Sequence, residues 1–358
     1  MASWNEKIGQ MIMIGLQGEA LTRGEMRLLQ QSPLGGFILF RDNLKEPKQI
    51  LSLCRSLWET GGIHPPFIAI DQEGGKVHRL PAPFTHFPSA AALGRTGNTE
   101  LGRRTGLAAA RELSAVGINL NFAPVLDVNS NPSNPIIGER SFSPEPGVVT
   151  RLGWSYAEGL RKGGIIPCGK HFPGHGDTAQ DSHLELPVVT RDKPSLAANE
   201  LPPFTHACRN QIESIMTAHV LYPALDPKHP ATLSPSIVAD LLRREIGYAG
   251  VVFSDDLDMK AISRTYSRGE AAILSIRAGV DVLLLCHDTE GAAKVLESLC
   301  QEAERDQEIK TRIEESYERI KRLKERCLRS FTGDPEELER SIGIPDHKQL
   351  VAEIYGNR

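Results

Sequence analysis

The sequence lacks any uninterrupted apolar run near the roughly 20 residues that a membrane-spanning helix needs. Its start, MASWNEKIGQMIMIGLQG, has neither the cationic segment nor the small-residue cleavage site of a secretory signal. Net charge is small as well, because 41 lysines and arginines face 45 aspartates and glutamates, which leaves −4. A chain without a basic excess is poorly suited to a phosphate backbone. We therefore expect a soluble, cytoplasmic protein that binds neither nucleic acid nor membranes.

Paired cysteines are also missing. The six cysteines are scattered singly with no CxxC motif, and Cys286 ends the apolar stretch VDVLLLC. Isolated cysteines in such surroundings are typical of buried free thiols in a reducing compartment. Hydrophobic residues make up 40% of the chain and charged residues 24%, a usual globular mixture that excludes a disordered chain.

Short apolar runs recur along the chain. They are continuous rather than alternating, as expected for parallel strands that are covered on both faces. A length of 358 residues suits either two ordinary domains or one large barrel. The eight runs cover residues 11–16, 35–40, 66–71, 118–127, 165–171, 214–220, 250–256 and 280–286.

Amphipathic segments that predict helices lie between these runs, for example over residues 99–117, 148–164 and 234–247. Strands that alternate with helices need crossover connections and a mainly parallel sheet. We predict an α/β protein with a single (β/α)₈ TIM-type barrel, and a doubly wound open sheet is the structural alternative. The barrel is expected over residues 1–330, with 331–358 as a C-terminal extension packed on it rather than a separate domain.

Polar residues end one predicted strand after another. Any one of them could be a helix cap or a solvated loop residue. Six strand ends of this type together indicate an enzyme, because barrels place their chemistry at the C-terminal ends of the strands. The residues are Asp71, Asp127, Lys170 with His171, His219, Asp255 with Asp256, and His287.

The segment KHFPGHGDTAQDSHLELP, residues 170–187, carries the densest set of such side chains. Its glycines and prolines predict a shaped loop, which we expect to be more mobile than the strands it connects. His171, His175 and His183 could form a metal site, although the segment lacks the HExxH spacing. Asp181 could instead hold His183 as an acid/base group. Spacing favours the acid/base interpretation without excluding the metal.

Three further motifs supply candidate residues. GVVFSDDLDM ends a strand with Asp255 and Asp256, and because side chains alternate along a strand the two should point in different directions. One could enter the barrel mouth while the other caps the next helix. DQEGGKVHRL places Asp71 and Arg79 after the third strand, and GERSF places Arg140 after the fourth.

Together these segments resemble the family 3 glycoside hydrolases, specifically their single-domain β-N-acetylglucosaminidases, the NagZ-like group. The resemblance runs in chain order over most of residues 7–290, and KHFPGHG followed by DSH is a specific signature of this group. The matching segments are IGQMIMIGLQG, GGFILF, AIDQEGGKVHRL, NFAPVLDVN, GERSF, KHFPGHGDTAQDSHLELP, MTAHV and FSDDLDM.

The resemblance implies a barrel that removes terminal β-linked N-acetylglucosamine with retention of configuration. It implies Asp255 as the nucleophile, His183 as the general acid/base and Asp181 as the partner of that histidine, with no catalytic role for Asp256. An imidazole suits the acid/base role because it titrates near neutral pH. The resemblance also implies that the sugar is held by Asp71, Arg79, Arg140, Lys170 and His171.

The resemblance further implies cell-wall muropeptide fragments as substrates, with N-acetylglucosamine on anhydro-N-acetylmuramic acid, and no metal or cofactor. Arg140→Ala and Lys170→Ala are expected to impair catalysis while leaving stability nearly unchanged. Three alternatives remain open: a phosphorylase on the same residues, a metal-dependent amidohydrolase that uses the histidines, and a catalytically inactive sugar-binding protein. The sequence does not fix the aglycone preference or the oligomeric state, and it is compatible with a monomer.

Overall fold

Eight parallel strands close into a barrel in which each strand pairs with the next and the last pairs with the first. The computed structural model describes residues 2–182, 184–287, 289–328, 331 and 333–356. The strands are β1 (Ile12–Gly15), β2 (Gly36–Leu39), β3 (Phe67–Ile70), β4 (Leu120–Asn121), β5 (Ile166–Phe172), β6 (Ser214–Thr217), β7 (Val251–Asp256) and β8 (Val282–Leu285).

Seven strands lie within predicted apolar runs and β5 extends one residue beyond its run, to Phe172, so the TIM-type barrel is confirmed and the open sheet is wrong. The fourth run differs most, because only Leu120 and Asn121 of residues 118–127 pair as a strand. Pro124 has no amide hydrogen to give to the ladder. The chain nevertheless stays beside β5, since the amide of Leu126 donates to the carbonyl oxygen of Lys170 over 2.6 Å.

Helices surround the barrel and cover its outer face. The helices predicted over 99–117 and 148–164 are observed as α5 (Thr99–Ala115) and α6 (Pro146–Lys162). The helix predicted over 234–247 is a π-helix at Ser236–Glu245. The α-helices are α1 (Trp4–Gln10), α2 (Arg23–Gln31), α3 (Pro47–Glu59), α4 (Ala90–Thr96), α5 (Thr99–Ala115), α6 (Pro146–Lys162), α7 (Lys193–Asn199), α8 (Leu201–Arg209), α9 (Lys260–Ser263), α10 (Arg268–Ala278), α11 (Thr289–Arg305), α12 (Gln307–Cys327), α13 (Pro335–Ser341) and α14 (Pro345–Gly356).

The interior of the barrel is filled by side chains. The ring of Phe253 meets those of Phe67 and Phe122 edge to face, at centroid distances of 5.7 and 5.5 Å. At the N-terminal end of the strands Lys324 of α12 is fully buried. Its Nζ donates to Gln10 Oε1 (2.7 Å) and to the carbonyl oxygen of Gly35 (2.8 Å), and it lies 4.6 Å from the centre of the Phe67 ring. This end of the barrel is therefore closed.

The last two helices lie against α5. Glu112 of α5 accepts hydrogen bonds from the Gly343 amide (3.0 Å) and from His347 Nδ1 (2.8 Å), and Arg104 pairs with Glu353 at 2.8 Å. These contacts support an extension that packs on the barrel, and the boundary near residue 330 stays a prediction. None of the described helices has the length and apolar character that a bilayer crossing requires.

Candidate active site

A cavity of about 570 Å³ opens at the C-terminal ends of the strands, within the size range of small-molecule sites. Seven of the predicted site residues line it, and they come from β5, β7 and the loops that follow β3, β4 and β5. His183 lies outside the described residues. The seven are Asp71, Arg79, Arg140, Lys170, His171, Asp181 and Asp255.

A buried cluster of ion pairs forms one wall of the cavity. Lys170 Nζ lies 2.6 Å from Asp71 Oδ1 and 2.7 Å from Glu73 Oε1. Arg140 donates hydrogen bonds to both carboxylate oxygens of Glu73, each over 2.8 Å. Burial alone would raise the pKa of Glu73, but Arg140 and Lys170 outweigh it and hold that pKa well below its usual value. Glu73 is therefore ionised, and the cluster offers fixed polar groups to a ligand.

Arg79 completes this wall. Its backbone amide donates to Gln72 Oε1 over 2.9 Å, which anchors the segment after β3. Its Nε is buried without a hydrogen-bond partner in the described part of the chain. A buried polar atom that lacks a partner costs free energy, and a ligand in the cavity would supply that partner.

Asp127 shapes the next part of the site. It is fully buried, and its Oδ2 lies 2.7 Å from His171 Nδ1. Its Oδ1 accepts from the backbone amides of His171 (3.0 Å) and His175 (2.7 Å). A carboxylate that accepts the Nδ1 proton fixes the tautomer of His171 and leaves Nε2 to meet a ligand.

The two aspartates at the end of β7 differ, as predicted. Both line the cavity, but Asp255 is the half-buried residue of the strand, whereas Asp256 is buried and its Oδ1 accepts from the backbone amides of Asp258 (3.1 Å) and Cys286 (3.2 Å). Burial raises the pKa of Asp256 to about 6. Burial acts on Asp255 in the same direction, but His219, His171, the amide of Asp256 and the charge of Lys170 hold its pKa below the usual value. Asp255 is therefore fully ionised at neutral pH, with a lower pKa than its neighbour.

The loop over residues 170–187 has no helix among its described residues. Its inner half is packed tightly, because His175 contacts the hydroxyls of Thr178 (2.9 Å) and Ser182 (3.2 Å) through its two ring nitrogens. The carbonyl oxygen of Ser182 accepts from the amide of Ala261, at the start of α9, over 3.3 Å. The loop thus crosses the cavity mouth from β5 to the end of β7.

These contacts bear on the metal interpretation of the three histidines. Both ring nitrogens of His175 meet hydroxyl groups, and burial lowers its pKa to about 4. The described residues contain no group of three metal-ligating side chains, and His183 is not among them. The hydrogen bonds of His171 and His175 favour positioning roles for both rings.

Sequence reasoning missed Glu73 and the role of Asp127. Glu73 follows Asp71 by two residues in DQEGG, and this spacing from Asp71 is the signal that could have identified it. Asp127 was noted only as one of the polar strand ends. His219, another such residue, is fully buried between Thr232 Oγ1 (2.8 Å) and the carbonyl oxygen of Asp256 (2.9 Å), so it supports β7 rather than facing the cavity.

Known proteins are similar to this chain in both sequence and fold. Residues 3–323 match the glycosyl hydrolase family 3 N terminal domain. The chain is 36% identical over 353 residues to Beta-hexosaminidase A of Pseudoalteromonas piscicida, a match that covers 91% of this chain and 59% of that protein. The chain therefore spans less than two thirds of the length of this relative.

Solved structures of family 3 glycoside hydrolases have the same fold as this chain. A glycoside hydrolase family 3 β-N-acetylglucosaminidase from Paenibacillus sp. str. FPU-7 superposes with a TM-score of 0.92 at 38% identity and covers 99% of this chain and 68% of its own. NagZ from Neisseria gonorrhoeae, in complex with N-trifluoroacetyl-D-glucosamine, superposes with a TM-score of 0.80 at 32% identity over 97% of each chain.

Proposed function

Because this chain belongs to glycosyl hydrolase family 3 and is a glycoside hydrolase of the β-N-acetylhexosaminidase type, we propose that it removes terminal β-linked N-acetylglucosamine through a covalent intermediate on Asp255. One observation carries the proposal. The cavity brings the ionised carboxylate of Asp255 together with a wall of fixed charges that suits a polyhydroxylated ring.

The wall binds the sugar in this proposal. Asp71 and Lys170 are a charged pair that can accept from and donate to neighbouring hydroxyls, and the buried Arg79 Nε gains a partner. Glu73 keeps Arg140 and Lys170 in place, and Asp127 orients His171. Rigid polar groups of this kind position a substrate before the reaction starts.

Asp255 is the proposed nucleophile. Its carboxylate attacks the anomeric carbon, the glycosidic bond breaks, and the leaving oxygen takes a proton from the acid. Water then attacks the anomeric carbon of the glycosyl ester and gives a proton to the acid/base group, which restores that group and releases the carboxylate. Two inversions retain the configuration. A carboxylate that stays ionised at neutral pH suits the first step, and the low pKa of Asp255 supports this role.

His183, assisted by Asp181, is the proposed acid/base. This assignment rests on the resemblance of the DSH motif, and it is supported by the neighbouring residues. Asp181 and Ser182 line the cavity that contains Asp255, and Ser182 is held between His175 and Ala261. The same resemblance supports muropeptide fragments as the physiological substrates and a cytoplasmic role in cell-wall recycling.

Substitutions separate the two catalytic roles. Asp255→Ala should abolish turnover of every substrate. His183→Ala should lose most of its rate on a disaccharide, whose sugar alkoxide leaves poorly, yet keep far more of the first step on a dinitrophenyl glycoside. The glycosyl-enzyme should then accumulate, and intact-protein mass spectrometry should show one N-acetylglucosamine adduct on Asp255. Added azide should rescue turnover and give a β-glycosyl azide.

His206→Ala is a matched control, because His206 lies on α8 and packs against Trp154 outside the cavity. Equal losses on both substrates, with no adduct and no azide product, would remove His183 from the acid/base role. A preference of the wild-type protein for 4-nitrophenyl β-glucoside over the β-N-acetylglucosaminide would overturn the substrate assignment. Acceleration by millimolar phosphate, with sugar 1-phosphate as the product, would establish a phosphorylase instead.

A further inference from the structure

Two stacked rings, Phe40 and His287, stand at the mouth of the cavity. Phe40 directly follows β2 and His287 follows β8, so the pair spans the end of β1, which lies between those strands. The ring centroids are 5.8 Å apart and the ring planes differ by 24°. Both residues line the cavity.

The His287 ring is exposed but fixed. Its side chain is 68% accessible to solvent, while its Nε2 lies 3.3 Å from Asp256 Oδ2 and its amide donates to Asp258 Oδ2 over 3.3 Å. Phe40 is fixed as well, because its amide donates to Asn43 Oδ1 over 2.8 Å. A solvated loop histidine needs none of these contacts. A rigid aromatic pair at a cavity rim is instead a typical feature of a binding surface.

The position of the pair relates it to the leaving group. The charged wall that holds the sugar in the proposed function comes from β5 and the loops after β3 and β4, and Asp255 stands at the end of β7. The loop that carries the proposed acid/base meets α9 through Ser182 and Ala261. Under the proposed function the leaving oxygen departs towards that loop, beside the end of β7. The strands that follow β7 around the barrel are β8, β1 and β2, and His287 and Phe40 lie just past the ends of β8 and β2.

We propose that Phe40 and His287 form an aglycone subsite, on which the apolar face of a second pyranose ring stacks while Asp256 holds the histidine ring in place. This inference rests on the proposed function and narrows its substrate class. The two rings would favour sugar-linked N-acetylglucosaminides, in which the leaving group is itself a pyranose, over substrates whose leaving group is too small to reach them.

Two substrates test the subsite. N,N′-diacetylchitobiose places a sugar there, whereas N-acetyl-β-D-glucosaminyl fluoride has a leaving group too small to reach it. For His287→Ala and Phe40→Leu, the ratio of kcat/KM on the disaccharide to kcat/KM on the fluoride should fall about tenfold, in line with the strength of aromatic contacts. His287→Gln keeps a donor for Asp256 but removes the ring, and it should show the same fall. His206→Ala should leave the ratio unchanged.

Transfer to an acceptor gives a second readout. With the fluoride as donor and methyl N-acetyl-β-glucosaminide as acceptor, the wild-type enzyme should form a disaccharide product alongside hydrolysis. The same three variants should form less of it relative to hydrolysis, because the acceptor binds where the leaving group departs.

An unchanged ratio in the variants, whether both rates fall together or neither falls, would assign His287 and Phe40 a purely structural or solvated role and overturn the subsite. If the wild-type protein cleaved neither substrate, the proposed function would fail, and the subsite with it. The two failures are therefore distinguishable by the wild-type rates alone.

Discussion

Glu73 is the residue on which the positive charges of the cavity depend. It accepts from Lys170 at 2.7 Å and from Arg140 at 2.8 Å, and all three side chains are largely removed from solvent. Removing one member of such a cluster leaves an unbalanced charge in a medium that solvates it poorly. The sequence alone led us to expect that Lys170→Ala and Arg140→Ala would leave stability nearly unchanged. Because of these ion pairs we instead expect both substitutions to lower the free energy of unfolding.

We predict that Glu73→Ala lowers the free energy of unfolding by about 3–5 kcal/mol and also lowers kcat/KM. The pKa of Glu73 is held below its usual value, so its contribution to stability is complete above about pH 4.5 and is lost only as the pH falls through the native pKa. Urea unfolding at pH 7 measures the loss. Glu139→Ala, an exposed glutamate in the neighbouring loop, should change stability by less than about 0.5 kcal/mol. Equal effects of the two substitutions would contradict the ion-pair argument.

At the scale of elements, the junction between α7 and α8 supports the loop over residues 170–187. Glu200 at this junction is 2% exposed, and its Oε1 accepts from Ser130 Oγ over 2.9 Å. Its Oε2 is buried without a hydrogen-bond partner in the described part of the chain, and it faces Gly174, where an added Cβ would lie 2.9 Å away. Burial is the main reason why the pKa of Glu200 rises to about 7, with Asp127 and Asp177 adding to the rise.

This carboxyl should make stability fall as pH rises. The unfolded chain releases the Glu200 proton near pH 4.5, whereas the native protein holds it to about pH 7. Stability is therefore lost progressively between these values and stays lower above them. We predict that Glu200→Gln unfolds much like the wild type at pH 5 but is more stable at pH 8 by up to about 3 kcal/mol. Glu158→Gln, on the exposed face of α6, should be as stable as the wild type at both pH values. If Glu200→Gln also showed no gain in stability at pH 8, the raised pKa of Glu200 would be contradicted.

At the scale of the whole molecule, features that depend on local sequence patterns could be predicted, whereas contacts between residues distant in sequence could not. Continuous apolar runs are a local signal, and all eight strands follow from them because both faces of each strand are covered. Asp255 and Lys170 could be placed from strand ends in the same way. The partners of site residues could not, because Glu73 reaches Lys170 across 97 positions only once the barrel has closed. The π-helix at Ser236–Glu245 has the apolar pattern of an α-helix and was predicted as one.

Glu112 shows how the C-terminal helices are joined to the barrel. It is 1% exposed and accepts from Thr85, Gly343 and His347, whose ring is 235 positions away in sequence. We predict that Glu112→Ala lowers the free energy of unfolding by about 3 kcal/mol, because several buried donors lose their acceptor. Hydrogen exchange should show the loss concentrated in α13 and α14. Loss of these helices without any loss in the barrel would indicate a separate unit and contradict a single domain.

The barrel is closed at the N-terminal end of its strands, where Lys324 lies beneath the packed phenylalanines. The cavity is therefore a blind well, which opens only at the C-terminal end of the strands. Under the proposed function, a blind well admits the tip of a sugar chain but gives it no second exit. After each cut the released monosaccharide lies deeper than the shortened chain and must leave by the same opening. The remaining chain therefore has to dissociate before its new end can enter. A well of this kind trims its substrates distributively, one residue for each encounter, and does not thread along a polymer.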